Sequence, residues 1–149
     1  MTEFDIQEEL FDHFVTLNDV SGIQYIKIDN TKRDKQKYTN VHFPNVPFTA
    51  PQNKRWFDLS VQVAEPEDAF IMEDSPYRQA GILRIDIYTP TDCGEEECLT
   101  KYRWIAKLFN DANLDDVDIM KVYISTKGND ADCYRLQVTV NWEAIIDKE

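Results

Sequence analysis

Three stretches of this chain alternate between apolar and polar residues, and that period of two constrains the fold more than any other feature. In Trp56–Val63, Phe57, Leu59, Val61 and Val63 alternate with Trp56, Asp58, Ser60 and Gln62. In 81–88, Leu83, Ile85 and Ile87 alternate with Arg84, Asp86 and Tyr88, and in 134–142 Tyr134, Leu136, Val138, Val140 and Trp142 alternate with Arg135, Gln137, Thr139 and Asn141. Successive strand side chains point to opposite faces, so each stretch is a strand with one face in a core and the other toward water. Half-solvated strands of this kind belong to antiparallel sheets, since parallel strands covered on both faces read as continuous apolar runs. Residues 81–88 are predicted to pair with Trp56–Val63 at the centre of the sheet. A further strand over 118–125 is expected to reach 134–142 through the turn cluster Lys127-Gly128-Asn129-Asp130.

Two weaker strand signals precede these. Residues 23–28, IQYIKI, read as a short strand. The segment VHFPNVPF carries β-favouring Val41 and Phe43 but also Pro44 and Pro47. Proline lacks the N–H that a central ladder needs, so this segment is expected at a sheet edge leading into a fixed turn.

Two stretches follow the helical period instead. Phe4, Ile6, Leu10, Phe14 and Leu17 form an apolar stripe starting near Thr2, and the helix should end before Ser21-Gly22. In 95–110, Leu99, Tyr102, Ala106 and Phe109 share one face, and Glu95, Glu96 and Glu97 open the helix where its positive end favours carboxylates. The order of helix, strands, helix, strands lacks the repeating β-α-β of a doubly wound sheet. The expected architecture is α+β: a single domain over 1–149, with an antiparallel-rich mixed sheet of about five strands packed with two main helices. A chain of 149 residues suffices for one such core.

Two segments have no apolar period and are read as mobile loops. Residues 29–40 hold Lys32, Arg33, Lys35 and Lys37, either a docking arm for an acidic neighbour or a solvated charge run. Residues 64–79 are polar around a central Phe70-Ile71-Met72, which either folds back onto the chain's own core or contacts another subunit.

Chemistry is harder to find. A formal charge of −12 and a pI near 4.5 repel phosphate backbones, which disfavours general nucleic-acid binding and favours basic protein partners. No apolar run approaches the roughly 20 residues that span a bilayer, so no membrane association is expected. The two histidines, His13 and His42, are far apart and lie near no nucleophile motif, which favours structural roles. Cys93 and Cys98 are spaced C-x4-C without a neighbouring histidine, and with Cys133 the cysteines are odd in number. Neither a zinc site nor a disulfide framework follows, and a reducing compartment is the simpler setting. Carboxylate pairs such as Glu95 and Glu97, or Asp115 and Asp116, arise from composition alone. The four glycines form no phosphate-binding motif. No catalytic residue, metal or cofactor is assigned.

The order of the pieces carries more information than any one of them. VHFPNVPFTAP, then FDLSVQV, then GILRIDIYTPTDCGEEE and finally LQVTVNWE resemble bacteriophage tail-terminator proteins over roughly residues 41–142. The scaffold positions of that resemblance are Asn45, Pro47, Phe48, Gly81, Pro90, Gly94 and Trp142. It implies a structural virion protein: a six-subunit ring that caps the tail tube, ends its polymerisation and forms the head–tail joining interface. It implies as partners further copies of the chain, the tail-tube protein and the head–tail connector, with DNA only as passing cargo. The place implied is the virion tail, assembled in the host cytoplasm. The candidate interface residues are Lys32, Arg33, Lys35, Lys37, Phe70, Ile71 and Met72.

Three alternatives stand beside this expectation. Another phage neck or tail-completion protein would share the small α/β ring. An acidic DNA-mimic inhibitor would place carboxylates at phosphate-like spacing. An enzyme would need a pocket with perturbed carboxylates, because no nucleophile, metal set or phosphate loop is visible.

Overall fold

A computed structural model describes residues 3–15, 41–44, 48–49, 55–64, 67–68, 77–91, 94–112, 114, 117–130 and 133–146. Helix α1 spans Glu3–Val15 and helix α2 spans Glu96–Asn110. The strands are β1 (Val41–His42), β2 (Trp56–Val63), β3 (Glu67–Asp68), β4 (Tyr77–Pro90), β5 (Val117–Asp130) and β6 (Cys133–Ile146). They form one sheet in the order β1-β2-β4-β6-β5, with β3 also paired to β4. Every pairing is antiparallel except β1 with β2. The α+β, antiparallel-rich mixed sheet read from the alternating stretches is the fold observed.

Register follows from which face is buried. Phe57, Leu59, Leu83, Ile85, Ile87, Leu136, Val138, Val140 and Trp142 are almost wholly buried in the same cluster as Ile6, Leu10, Phe11 and Phe14 of α1 and Cys98, Ile105 and Phe109 of α2. Both helices therefore lie on one face of the sheet. Ring contacts mark the seams: Phe14 meets Phe57 edge-on at 5.4 Å, Phe11 meets Phe43 at 5.4 Å, and His13 meets Phe109 at 5.2 Å. A one-residue slip of any central strand would turn its whole apolar set to solvent, and this fixes the register.

Strand β4 sits in the middle, flanked by β2 and β6 as the alternation of 81–88 anticipated. It starts earlier, at Tyr77, because Gln79 is fully buried and its amide donates to the Ala64 carbonyl at 2.6 Å and the Ala80 carbonyl at 3.1 Å. Among the described strands β1 lies at one end of the sheet, two residues before Pro44.

Three local expectations need correction, and two more fall on residues outside the described ones. The cluster Lys127-Gly128-Asn129-Asp130 is strand, paired with Leu136, Arg135, Tyr134 and Cys133 respectively. The cross-strand pairs available to Lys127 and Tyr134 outweigh the local turn preference. The buried stripe of α2 runs through Cys98, Ile105 and Phe109, with Leu99 and Tyr102 only partly covered. Val63 does not complete the inward face of β2 and is 46% exposed. Helix α1 is described from Glu3 to Val15, so Leu17 falls outside its described span. The strand expected at 23–28 also lies outside the described residues.

Candidate functional site

Two constellations of polar groups are organised by this fold, one at the start of α2 and one on the sheet face away from the helices. The first is made by the acidic turn that opens α2. Gly94 has φ 74, a left-handed conformation that suits glycine, and it delivers Glu95 to the N-terminal end of the helix. Tyr134 donates its hydroxyl proton to Glu95 Oε2 at 2.6 Å, and Lys127 Nζ donates to Oε1 at 3.0 Å. Hydrogen bonds from Tyr134 and Lys127 hold the Glu95 carboxyl below its usual range. Partial burial, with Glu95 as acceptor, pushes the Tyr134 phenol up to about 12.

Two residues further on, Arg55 Nε donates to both oxygens of Glu97 at 3.0 and 3.1 Å. The Lys101 ammonium sits 3.8 Å from Glu97 and 5.7 Å above the Phe57 ring. Burial pulls the Lys101 amine down, against the opposing pull of Glu97. The carboxylates expected merely to suit the helix end thus tie α2 to the β5–β6 hairpin and to the segment before β2. Asp115 and Asp116 lie outside the described residues.

The second constellation is aromatic and charged. The Trp56 and Tyr88 rings stack at 4.0 Å and 6°, on residues that stand opposite each other in the β2–β4 ladder. Phe48 leans on Trp56 at 5.2 Å, and His42 stacks on Phe48 at 5.0 Å. His42 Nδ1 lies 3.2 Å from Asp58 Oδ1, and Arg135 Nε lies 4.0 Å from Asp86 Oδ1. Burial, and then the charge of Asp86, pushes the Tyr88 phenol up.

The scaffold positions have definite duties where they are described. Trp142 is buried opposite Gly81, and a Cβ on Gly81 would meet the Trp142 ring and the Gln62 carbonyl oxygen at 2.5 Å each. Gly81 is there because the indole occupies the space that a side chain would take. Pro90 closes β4 opposite Cys133, and Phe48 bridges His42 and Trp56. Asn45, Pro47 and the candidate interface residues Lys32, Arg33, Lys35, Lys37, Phe70, Ile71 and Met72 lie outside the described residues.

The groups weighed for chemistry are built into packing. His13 Nε2 lies 3.0 Å from the Leu108 carbonyl oxygen, so a ring N–H donated there joins α1 to the end of α2. Cys98 is buried with its sulfur 3.2 Å from Thr89 Oγ1, and burial pushes the thiol up, away from a reactive thiolate. Cys93 lies outside the described residues, and among the described residues no three His, Cys, Asp or Glu side chains gather as metal ligands. Sequence reasoning missed the Tyr134–Glu95–Lys127 node and the Trp56–Tyr88 stack. Only the ladder pairing Trp56 with Tyr88 could have signalled the stack.

Among the described residues the chain is a one-sheet α+β body in which polar side chains tie α2 to β5, β6 and the segment before β2. The model of the phage tail terminator family matches residues 23–142, and the chain belongs to that family. It is accordingly a structural tail-completion protein of the virion tail, of a family that is not enzymatic. Six solved chains match it, and one superposes with a TM-score of 0.60 over 96% of this chain and 98% of its own at 14% identity. At that identity the likeness is one of fold. No curated protein matches the chain.

Proposed function

We propose that this protein caps the phage tail tube as a ring of six copies, ends tube polymerisation and forms the joining surface for the head connector. The observation that carries this reading is the tail-terminator match over residues 23–142. A closed ring with head-to-tail contacts needs two different complementary patches on each copy. In this reading Lys32, Arg33, Lys35 and Lys37 meet acidic surface on a neighbour or the tube, while Phe70, Ile71 and Met72 supply an apolar contact. A net charge of −12 per copy lets DNA pass as cargo without adhering. Assembly takes place in the host cytoplasm before the head joins.

Light scattering on the size-exclusion peak tests the ring. Six chains of 17.5 kDa total 105 kDa, with purified tail tubes added if the chain alone stays monomeric. Deleting the gene should leave tails of uncontrolled, excess length. Tails of normal length that fail only to join heads would instead assign the protein to the neck.

A further inference from the structure

Two exposed patches, on opposite sides of the molecule, each lack what the other supplies. The first is on α2. Residues 100–107 hold Lys101, Arg103 and Lys107 and no carboxylate, in a chain whose formal charge is −12. Lys101 turns to Glu97 and the Phe57 ring. Arg103 and Lys107 are exposed, and their spacing of four makes them neighbours on the helix surface. Neither makes an ion pair or hydrogen bond with a described residue. Trp104 lies beside them and is 36% exposed, while Cys98, Ile105 and Phe109 fill the buried side of the helix.

The second patch is on the sheet face away from the helices. Leu136, Val138, Val140, Trp142 and Ala144 of β6 point into the core, so Glu143 and Ile145 point the other way. Asp118 of β5 stands opposite Glu143, and like charges so placed repel. Arg78 Nε meets Glu143 at 2.7 Å, whereas Asp118 is exposed and is met by no cation among the described residues. Ile145 is 46% exposed on this face. Met120, in the bulge between Ile119 and Lys121, is 63% exposed, and bulges re-aim the side chains they carry. The neighbouring cation, Lys121, leans over the Tyr123 ring at 5.1 Å.

Cations without a carboxylate thus adjoin a tryptophan on the helix side, and a carboxylate without a cation adjoins a methionine and an isoleucine on the sheet side. The sheet separates them, so they cannot meet within one chain. Complementary patches on opposite sides make a head-to-tail contact between copies, the kind that closes rings. Tryptophan and arginine are enriched at binding hot spots, and methionine adapts its shape to a partner.

We propose that the Arg103–Trp104–Lys107 face of α2 docks onto Asp118, Met120 and Ile145 of a second copy. Trp104 packs on the two apolar side chains, and Arg103 and Lys107 reach Asp118, whose charge fixes the register of the contact. The apolar part holds the contact while salt screens the repulsion between acidic copies. The inference rests on the ring reading and names a contact between neighbouring copies within it.

Light scattering on the size-exclusion peak of the full chain tests it, with tail tubes added where wild type stays monomeric. Arg103→Glu with Lys107→Glu should raise the concentration for half-assembly about tenfold or more, and Asp118→Lys should do the same. Mixed one to one, the two variants should assemble like wild type, because every contact in an alternating ring of six then joins opposite charges. Variants that each assemble as wild type does, or a mixture that fails to recover, overturn the contact. A loss confined to tube binding assigns α2 to the tube and overturns it as well. Where a reversed variant does not fold, Arg103→Gln with Lys107→Gln, or Asp118→Asn, takes its place and must weaken assembly. Wild type that assembles neither alone nor on tubes would sink the ring reading and this contact together.

Discussion

At the scale of single residues, the tightest constraint is the contact between Gly81 and Trp142. The indole is 1% exposed and lies over the one position in β4 that has no side chain. Adding a methyl group there forces the Trp142 ring and the Gln62 backbone apart. Gly81→Ala should therefore cost about 1–3 kcal/mol, the usual range for overpacking. The measurement is a denaturant midpoint that moves at an unchanged slope. Replacing Gly94, where a Cβ would meet nothing, tests backbone strain alone. Gly94→Ala should cost about 1 kcal/mol, because the strain is that of φ 74 and not of a clash.

At the scale of elements, the seam between α2 and the β5–β6 hairpin runs through Glu95 and Tyr134, and its two members titrate with opposite consequences. Glu95 is held below its usual value, so its contribution is present above the unfolded value and lost as pH falls through the folded one. Tyr134 is pushed up to about 12, so the folded chain keeps its phenol protonated over a range where the unfolded chain has lost that proton. Its contribution is intact below about pH 10, the free phenol value, and declines above it. Tyr134→Phe should lower stability at neutral pH and flatten the alkaline limb of the stability curve, while Glu95→Gln should flatten the acid limb. Thermal unfolding across pH reads both. An unchanged alkaline limb in Tyr134→Phe would remove this hydrogen bond from the account.

At the scale of the whole molecule, charge governs association. Each copy carries a formal −12, so bringing copies together is opposed by a field that salt screens within about 8–10 Å at physiological ionic strength. If the chain forms rings, their share at fixed protein concentration should rise with added salt. Light scattering across a salt series reads this directly, and a ring that falls apart in salt would mean that ion pairs between copies dominate. Reversing the charges of Lys32, Arg33, Lys35 and Lys37 together should leave the fold intact and abolish tube binding, which co-sedimentation with purified tubes would show.

The sequence by itself determined where the central strands and α2 lie and which face of each strand is buried, because a period of two over 56–61 and over 134–142 leaves one way to bury each strand. The acidic opening of α2 was equally legible, as was the position of β1 at one end of the described sheet. The ordered run of motifs was enough to point to the family. What only the tertiary structure decided were matters of partnership. Lys127-Gly128-Asn129-Asp130 has the composition of a turn, yet it continues a strand, because Leu136, Arg135, Tyr134 and Cys133 were available across the ladder and Glu95 was in reach of Lys127. Cys98 lies in the core and Leu99 is only partly covered, a matter of how the helix is rotated on the sheet. The charged pairs and the Trp56–Tyr88 stack exist only once β1, β2, β4 and β6 are laid side by side. Periodicity is a property of one segment and can be read along the chain, whereas a cross-strand pair joins residues far apart in sequence whose meeting depends on the register of the whole sheet.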